Sequence, residues 1–371
     1  MTSPITPAPR VVLVSRAARG GHPRYCAEVA AALTDRGAEV TILEPAAAFA
    51  STELLNHASV DNAPISGPKR GWLVQEVEIA MTFIAERKTV GTAVFHDTSP
   101  FRAVLIALLR AATSWTPVTM VHNTRPHITS FKERIKHYGA MTALAVPHRV
   151  LVHNERQRAE LAKNPLVRAT SIDIVPHGSW THTTTPSAVV ARRTTLLMFG
   201  VMRNNSGLDV LLRAAPAIAR EFPDVEIVVA GSPTSPEVEA LLAKLDAFDN
   251  IAVRAEFIDN DEVASLFRKA RFVLLPYVDY SSESGVLMQA VANQIPVITA
   301  GATSVADRVR ELSLGPDPTG ALIDQVREAM NAPPSQYDEW RSNLAAAAQA
   351  NTWSTHAAIV LDANATAQIS E

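Results

Sequence analysis

Two series of alternating strand and helix patterns constrain the fold of this chain more than any other feature. In the first, apolar runs such as 11–15 (VVLVS) and 39–44 (EVTILE) alternate with helical patterns such as 22–37. The second runs from TLLMFG (195–200) to PVITA (296–300) and is followed by helical patterns only. Alternation of this kind predicts parallel sheets covered by helices on both faces, which is the α/β class.

A polar, threonine-rich stretch at 179–195 separates the two series. The 371 residues also exceed what one ordinary core accommodates. We therefore predict two doubly wound, Rossmann-like domains, residues 1–180 and 181–351. Because ligands of open α/β sheets bind at the carboxyl ends of the strands, we expect a cleft between the two carboxyl edges.

Charge and composition narrow the classes of partner. The net charge of −3 gives no case for nucleic-acid binding. The first 180 residues are net positive and the rest net negative, which fits either an anionic partner or an ordinary difference between domains. The single cysteine, Cys26, excludes an internal disulfide and fits a reducing cytoplasm. No apolar run reaches membrane-spanning length.

Strand-end residues of the first domain are candidates for ligand binding. Gly20 and Gly21 follow the first strand, where the backbone can approach an anion, although a simple turn explains them equally well. His96 and Asp97 end a later strand; Asp97 could instead cap the next helix. His122 and His153 end two further strands. A strand-end histidine can bond a sugar hydroxyl or a reacting group, and each can also have a structural role only.

The turn 281–285 is the strongest candidate in the second domain. It joins the apolar run FVLLPYV to a short helical pattern, so backbone N–H groups at the helix start can meet a phosphate. Serines are also ordinary N-caps. The residues that we expect at this site are Ser281, Ser282, Glu283, Ser284, Gly285, Val286 and Gln289.

An Asp-Asn-Asp stretch at 259–261 could suggest a metal site. It lies directly before a helical pattern, and helix capping explains it better. We predict no bound metal.

The order of these motifs resembles family 4 of the retaining glycosyltransferases, which have the GT-B fold. The resemblance covers nearly the whole chain. It rests on the segments RGGHPRYCAEVAAALTDRGAEV, VFHD, VMRNNSGLDVLLRA, VVAGSP, FIDNDEVASLFRKARFVLLPY, SGVLMQAVANQIPVITA and NTWSTHAA.

The resemblance implies transfer of a sugar from a nucleotide sugar with retention of configuration and without a required divalent metal. The nucleotide, UDP- or GDP-linked, would bind the second domain. Gly20 and Gly21 would lie near its phosphates, and His96 near the transferred sugar. The last helix, 352–371, would return to the first domain.

Four family residues are replaced in this chain. The arginine and lysine that contact the donor diphosphate correspond to Val201 and Ser206, and two glutamates eight positions apart correspond to Ser281 and Gln289. Arg203, or Arg19 and Arg24 beside the Gly-Gly loop, could replace the missing cations, and we expect Glu283 to compensate for Ser281. His96, Arg203 and Glu283 are therefore the predicted catalytic residues.

Two functions remain open from the sequence. The first is an active nucleotide-sugar-dependent transferase acting on a glycan, lipid-linked or other acceptor. The second is a catalytically degenerate GT-B protein that serves as a partner subunit or glycan-binding module; an epimerase or phosphorylase has less support. A basic segment, 131–141, could provide peripheral contact with the inner face of a membrane or simply form a solvated helix face.

Overall fold

The computed structural model describes residues 8–17, 21–49, 60–67, 71–99, 101–125, 137–180 and 194–367. The chain divides into two compact units. The first unit comprises Met1–Gly178 and Thr352–Glu371, and the second comprises Ser179–Asn351.

The first unit contains a seven-stranded sheet of order β3-β2-β1-β4-β5-β6-β7. All of its strand pairs are parallel. The strands are β1 (Arg10–Val14), β2 (Glu39–Pro45), β3 (Val60–Ile65), β4 (Gly91–Phe95), β5 (Trp115–Met120), β6 (Arg149–Val152) and β7 (Ser171–Ile174).

Helices connect these strands, as the alternating pattern predicts. They are α1 (Gly21–Asp35), α2 (Ala46–Phe49), α3 (Trp72–Ala85), α4 (Arg102–Ala112), a 3-10 helix (Thr142–Ala145), α5 (Glu155–Ala162) and the last helix of the chain, α13 (Trp353–Ala367). Helices α3 and α4 bury Phe83 and Ile106 against strand residues such as Phe95.

Helix α13 packs against α1 within the first unit. The Arg36 guanidinium donates to the carbonyl oxygen of Ser354 at 2.9 Å. A Cβ atom on Gly178 would lie only 2.2 Å from the Trp353 ring, so close packing of this indole requires glycine at 178.

The second unit contains a five-stranded parallel sheet of order β10-β9-β8-β11-β12. The strands are β8 (Thr195–Phe199), β9 (Glu226–Ala230), β10 (Ile251–Arg254), β11 (Ala270–Leu275) and β12 (Val297–Thr299). The helices are α6 (Leu208–Glu221), α7 (Pro236–Leu245), α8 (Asn260–Lys269), α9 (Gly285–Asn293), α10 (Ser304–Leu312), α11 (Leu322–Asn331) and α12 (Pro334–Ala350).

The two parallel sheets confirm the predicted α/β class. Strand β3 is a difference, because its segment VDNAPI has neither the apolar run nor the alternation of a typical strand. It pairs only with β2 at the edge of the sheet, where Pro64 is tolerated because one side of an edge strand needs no ladder hydrogen bonds. None of the described helices combines the length and apolar character needed to span a bilayer.

Candidate active site

The turn before α9 in the second unit opens onto the amino end of that helix. Ser284 is the N-cap residue, and its Oγ accepts the N–H of Leu287 at 3.2 Å. The N–H groups of Gly285 and Val286 have no partner within the described part of the chain. Since a helix amino end carries partial positive charge, these two groups can bind an anion.

Two tyrosines support this turn. The hydroxyl groups of Tyr277 and Ser284 lie 3.2 Å apart, and the Tyr280 hydroxyl donates to the Glu283 carbonyl oxygen at 2.9 Å. Burial raises the pKa of both phenols, and the nearby Arg203 guanidinium partly opposes the rise. Arg203 therefore lies beside the same turn as Ser284.

The loop after β8 presents Arg203. The Arg203 N–H donates to Ser206 Oγ at 2.9 Å, and the Ser206 N–H donates back to the Arg203 carbonyl oxygen at 3.0 Å. The Val278 N–H donates to the Asn205 carbonyl oxygen, which fastens the loop to the end of β11. The Ser206 hydroxyl, at the position of the family lysine, is thus buried within its own turn, whereas Arg203 is exposed.

Gly207 ends this loop and cannot be replaced by a larger residue without strain. Its φ is 84°, in the left-handed region. A Cβ atom there would lie 1.9 Å from the Pro276 carbonyl oxygen. The close approach of this loop to β11 thus depends on glycine.

The remaining predicted residues of the second unit lie at the same turn. Ser281 and Ser282 are buried, and Ser304 Oγ donates to the Ser282 carbonyl oxygen at 2.5 Å. The Trp180 indole donates to the Gly285 carbonyl oxygen at 2.8 Å. Gln289 lies one turn into α9 and is 8% exposed, with its Oε1 unpartnered in the described residues. An unpartnered buried oxygen is a ready acceptor for a ligand hydroxyl.

At the carboxyl edge of the first sheet, histidines surround the ring of Tyr25. Five imidazole rings have centroids within 6 Å of the Tyr25 ring centroid: His96, His122, His153, His177 and His356. The ring centroid of a sixth histidine, His22, lies 4.4 Å from that of His122. We call these six residues and Tyr25 the histidine cluster. The sequence pointed to His96, His122 and His153. His177, which directly follows the segment IVP at the end of β7, has the same strand-end pattern. His22 and His356 come from helices and had no such signal.

Hydrogen bonds determine the tautomer of three histidines in the cluster. The Nδ1–H groups of His153, His177 and His356 face the carbonyl oxygens of Val175, Gly178 and Pro176 at 3.0, 2.7 and 3.1 Å. A carbonyl oxygen can only accept, so Nδ1 carries the proton when the ring is neutral. The Nε2 of His356 then accepts from the Tyr25 hydroxyl at 3.3 Å.

Several ring nitrogens of the cluster lack partners. Both nitrogens of His96, and Nε2 of His122 and His153, are buried without a hydrogen bond in the described residues. Burial and the neighbouring imidazoles hold the pKa of these three histidines well below the ordinary value. Burial lowers the pKa of His177 and of His356 to about 4. These five histidines are therefore neutral at pH 7.

Asp97 does not cap the helix that follows it, so that interpretation was wrong. Helix α4 begins later, after the N-cap residue Phe101, which makes no side-chain cap. The Asp97 carboxylate instead accepts from the Arg16 N–H and guanidinium at 2.7 and 3.0 Å, and pairs with the fully buried Arg102 at 3.3 Å. These contacts engage both oxygens and hold the Asp97 carboxylate against Arg16 and Arg102 beside the first loop.

Some predicted residues fall elsewhere. Gly21 is the first residue of α1, whereas Gly20 and the basic segment up to residue 136 lie outside the described residues. No group of three or more histidine, cysteine or acidic residues in the described ranges is arranged to hold a metal ion.

Residues 193–332 match the protein-family model described as Glycosyl transferases group 1. No curated protein sequence is significantly similar to the chain. The sequence match is thus confined to the second unit and includes the loop with Arg203 and the turn before α9.

Solved structures resemble the chain over nearly its full length. A glycosyltransferase from Rickettsia africae superimposes with a TM-score of 0.70 at 14% identity, covering 98% of this chain and all of that one. HepE of Anabaena, solved in complex with UDP and glucose, has a TM-score of 0.69 at 14% identity, and the alignment covers 96% of this chain and 99% of HepE. WaaG, a glycosyltransferase involved in lipopolysaccharide biosynthesis, has a TM-score of 0.66 at 14% identity, with 95% and 98% covered. The chain has the GT-B fold.

Proposed function

We propose that this protein is a family 4 glycosyltransferase that moves a sugar from a UDP- or GDP-linked donor to an acceptor with retention of configuration. The observation that carries the proposal is the match of residues 193–332 to the Glycosyl transferases group 1 model. The GT-B fold over both units supports it.

The donor diphosphate binds at the amino end of α9. The N–H groups of Gly285 and Val286 contact its oxygens, and the partial charge of the helix end stabilises them. Arg203 supplies the cation that the family has at the positions of Val201 and Ser206. As the bond from the sugar to the diphosphate breaks, negative charge grows on the departing oxygen, and these fixed donors stabilise it.

The ribose of the donor lies along the first turns of α9. There the buried, unpartnered Oε1 of Gln289 accepts a ribose hydroxyl. Glu283, which follows two buried serines in the turn, supplies a carboxylate at the sugar. A UDP donor is favoured by analogy with HepE, which was solved with UDP-glucose.

His96 orients the transferred sugar. As a neutral imidazole without partners, it can accept one hydroxyl and donate to another. The acceptor hydroxyl attacks the anomeric carbon and its proton passes to the departing diphosphate, so no protein nucleophile and no metal are required. The acceptor is a glycan or a lipid-linked glycan.

Calorimetry and transfer assays with the full chain test this proposal. We expect UDP or GDP to bind, and a nucleotide sugar to be hydrolysed or transferred when extracts supply the acceptor. An Arg203→Ala variant should bind the nucleotide about 10- to 100-fold more weakly. Replacing the exposed Arg213 of α6 by Ala should leave binding unchanged. Absence of any nucleotide binding would favour the degenerate GT-B protein instead.

A further inference from the structure

The second unit contains a cavity beside the turn that precedes α9. Its volume is about 510 Å³, within the range of roughly 300–1,000 Å³ that is usual for small-molecule sites. Tyr277 joins the cavity to the turn, since it lines the wall and its hydroxyl lies 3.2 Å from Ser284 Oγ. None of the residues assigned above to the diphosphate or the ribose lines this space, which we call the α6–α11 cavity. Its walls are residues 276–279 after β11, 300–303 after β12, 320–323 at the start of α11, and Val210, Arg213 and Ala214 of α6.

Short side chains leave this space open. Alanine or glycine occupies many positions of the wall, and the other uncharged side chains there are mostly aliphatic, such as Val210 and Ile323. Concave and mostly apolar surfaces of this size are typical of ligand sites, whereas protein interiors are densely packed. The apolar part of a ligand therefore has a matching wall. The small residues are Ala214, Ala300, Gly301, Ala302, Gly320 and Ala321.

The described wall carries one cation and one carboxylate, Arg213 and Asp279, and both side chains are exposed. Arg213 Nη1 donates to the Asp209 carboxylate at 2.8 Å, whereas Nε and Nη2 have no partner in the described residues. Helix α11 packs against α6, and the N–H groups of Leu322 and Ile323 at its start also lack partners in that part of the chain. Hydrogen-bond donors therefore lie on the helix side of the cavity, and a carboxylate lies on the strand side.

We infer that the α6–α11 cavity binds a free amino acid with an apolar side chain. The carboxylate of the ligand accepts hydrogen bonds from Arg213 and from the start of α11, and its ammonium group donates to Asp279. The apolar side chain packs against the aliphatic wall. Charge-assisted hydrogen bonds are about twice as strong as neutral ones, so both charged groups contribute to recognition. The site does not depend on the proposed transferase activity, because none of these contacts involves the nucleotide.

A zwitterion fits this wall better than a ligand with a single charge. An organic acid would bring a carboxylate near Asp279 without a compensating group, and an amine would bring an ammonium group near Arg213 in the same way. A zwitterion presents an opposite charge to each side chain. The charges on the wall thus favour an amino acid over a simple acid or amine.

Titration calorimetry with the full chain at pH 7.5 tests the inference. We expect L-phenylalanine to bind with a Kd of about 1 mM or below. Two analogues keep the phenyl ring: 3-phenylpropionate lacks the ammonium group, and 2-phenylethylamine lacks the carboxylate. Each should bind at least about tenfold more weakly, because a charge-assisted hydrogen bond is lost. Glycine should also bind at least about tenfold more weakly, because it has no apolar side chain to bury.

Variants of the wall show whether the ligand occupies this cavity. Ala302→Phe fills the space from an exposed position of the wall and should prevent phenylalanine binding, whereas Ala240→Phe, at an exposed alanine of α7, should not. Arg213→Gln should weaken phenylalanine binding about tenfold and leave 2-phenylethylamine binding unchanged. The matched control is Arg220→Gln, which replaces another exposed arginine of α6.

The carboxylate of the wall has its own variant. Asp279→Asn should weaken phenylalanine binding about tenfold without weakening 3-phenylpropionate binding. Asparagine tolerates the left-handed backbone at this position, where φ is 47°, so the fold of the loop is kept. Asp224→Asn is the control, at an exposed aspartate of the second unit outside the wall.

The cavity and the nucleotide site can be tested separately. Arg203→Ala should keep phenylalanine binding and lose UDP affinity, and Arg213→Gln should show the reverse. Thermal unfolding shows whether each variant keeps its fold. Absence of phenylalanine binding by the wild type would overturn the inference. So would equal binding by Ala302→Phe and the wild type, or equal affinity of the wild type for phenylalanine and its two analogues.

Discussion

The carboxyl edges of the two sheets have opposite chemistry on the same architecture. In the first unit, six histidines gather around Tyr25, and burial lowers the pKa of His96, His122, His153, His177 and His356 so that these five are neutral at pH 7. In the second, hydroxyl groups and the N–H groups at the start of α9 lie beside one exposed arginine, Arg203. The first edge offers neutral donors and acceptors, and the second offers fixed positive charge.

Because of this difference, ligand binding at the first edge should depend on pH, and ligand binding at the second edge on salt concentration. A neutral buried imidazole gains or loses function with pH, because protonation places a charge in a desolvated cluster. Helix N–H groups and arginine do not titrate near neutral pH, and their hold on an anion weakens with salt. Two doubly wound sheets can therefore divide the recognition of neutral hydroxyls and of phosphates between them.

The largest predicted effect is acid destabilisation of the first unit. The pKa of His177 and of His356 falls from 6.5 to about 4 on folding, so the unfolded chain binds more protons between these pH values. The contribution of these two histidines is therefore complete above pH 6.5 and is lost as the pH falls towards 4. Burial raises the pKa of Glu44 to about 7, so its protonation in the folded unit opposes part of this loss. Each histidine accounts for about 2 kcal/mol by pH 5, at roughly 1.4 kcal/mol per pH unit.

Hydrogen exchange resolved by unit, at pH 7.5 and pH 5.0 and normalised to intrinsic rates, measures this loss. The second unit is the internal control, because His182 is the one histidine in its sequence. His356→Gln should reduce the pH dependence of the first unit by up to one proton. Earlier loss of protection in the second unit would contradict the comparison.

Arg203→Ala should weaken UDP binding about 10- to 100-fold, as expected for one charge-assisted hydrogen bond. The wild-type affinity should fall with added salt, and the slope should be shallower in the variant. Isothermal titration calorimetry at two salt concentrations measures both effects. Arg213→Ala, which removes an exposed arginine paired with Asp209, should behave like wild type.

Ser284→Ala should lower the free energy of unfolding by about 1 kcal/mol, because the N-cap hydrogen bond to Leu287 is lost. Ser235→Ala removes the equivalent cap of α7 and should cost about the same. Only Ser284→Ala should also weaken UDP binding, by several-fold. Equal UDP affinity in the two variants would show that the Ser284 turn holds no diphosphate.

The sequence was sufficient for the α/β class and for most strands, because parallel strands buried on both faces require continuous apolar runs such as FVLLPY. Strand β3 could not be predicted, since its pairing with β2 is a long-range contact and its composition is polar. The GT-B fold followed from the order of the motifs and is confirmed by the solved structures.

The features of the candidate site that depend only on neighbouring residues in the sequence could be predicted. Ser284 as an N-cap follows from one turn of sequence, whereas the placement of Arg203 beside Tyr277 and Tyr280 depends on how two loops meet. The histidine cluster shows the same limit. Strand ends revealed three of its members, but His356 reaches Tyr25 from a helix more than 300 residues away in the chain.

The smallest effect concerns Gln289 and separates ribose recognition from fold stability. Gln289→Leu keeps the side-chain volume nearly constant and removes an oxygen that has no partner, so the free energy of unfolding should change by less than about 1 kcal/mol. UDP should bind about three- to tenfold more weakly, the value of one neutral hydrogen bond. The Gln289→Leu variant should bind UDP and a deoxyribose analogue that lacks the contacted hydroxyl with equal affinity. The control is Gln325→Leu on α11, which removes the hydrogen bond from the Gln325 side-chain amide to the Thr319 carbonyl oxygen. This variant should lower the free energy of unfolding and leave the UDP affinity unchanged. If Gln289→Leu bound UDP as tightly as the wild type and the Gln325→Leu control do, the ribose would have to lie away from α9. The second edge would then recognise the diphosphate alone.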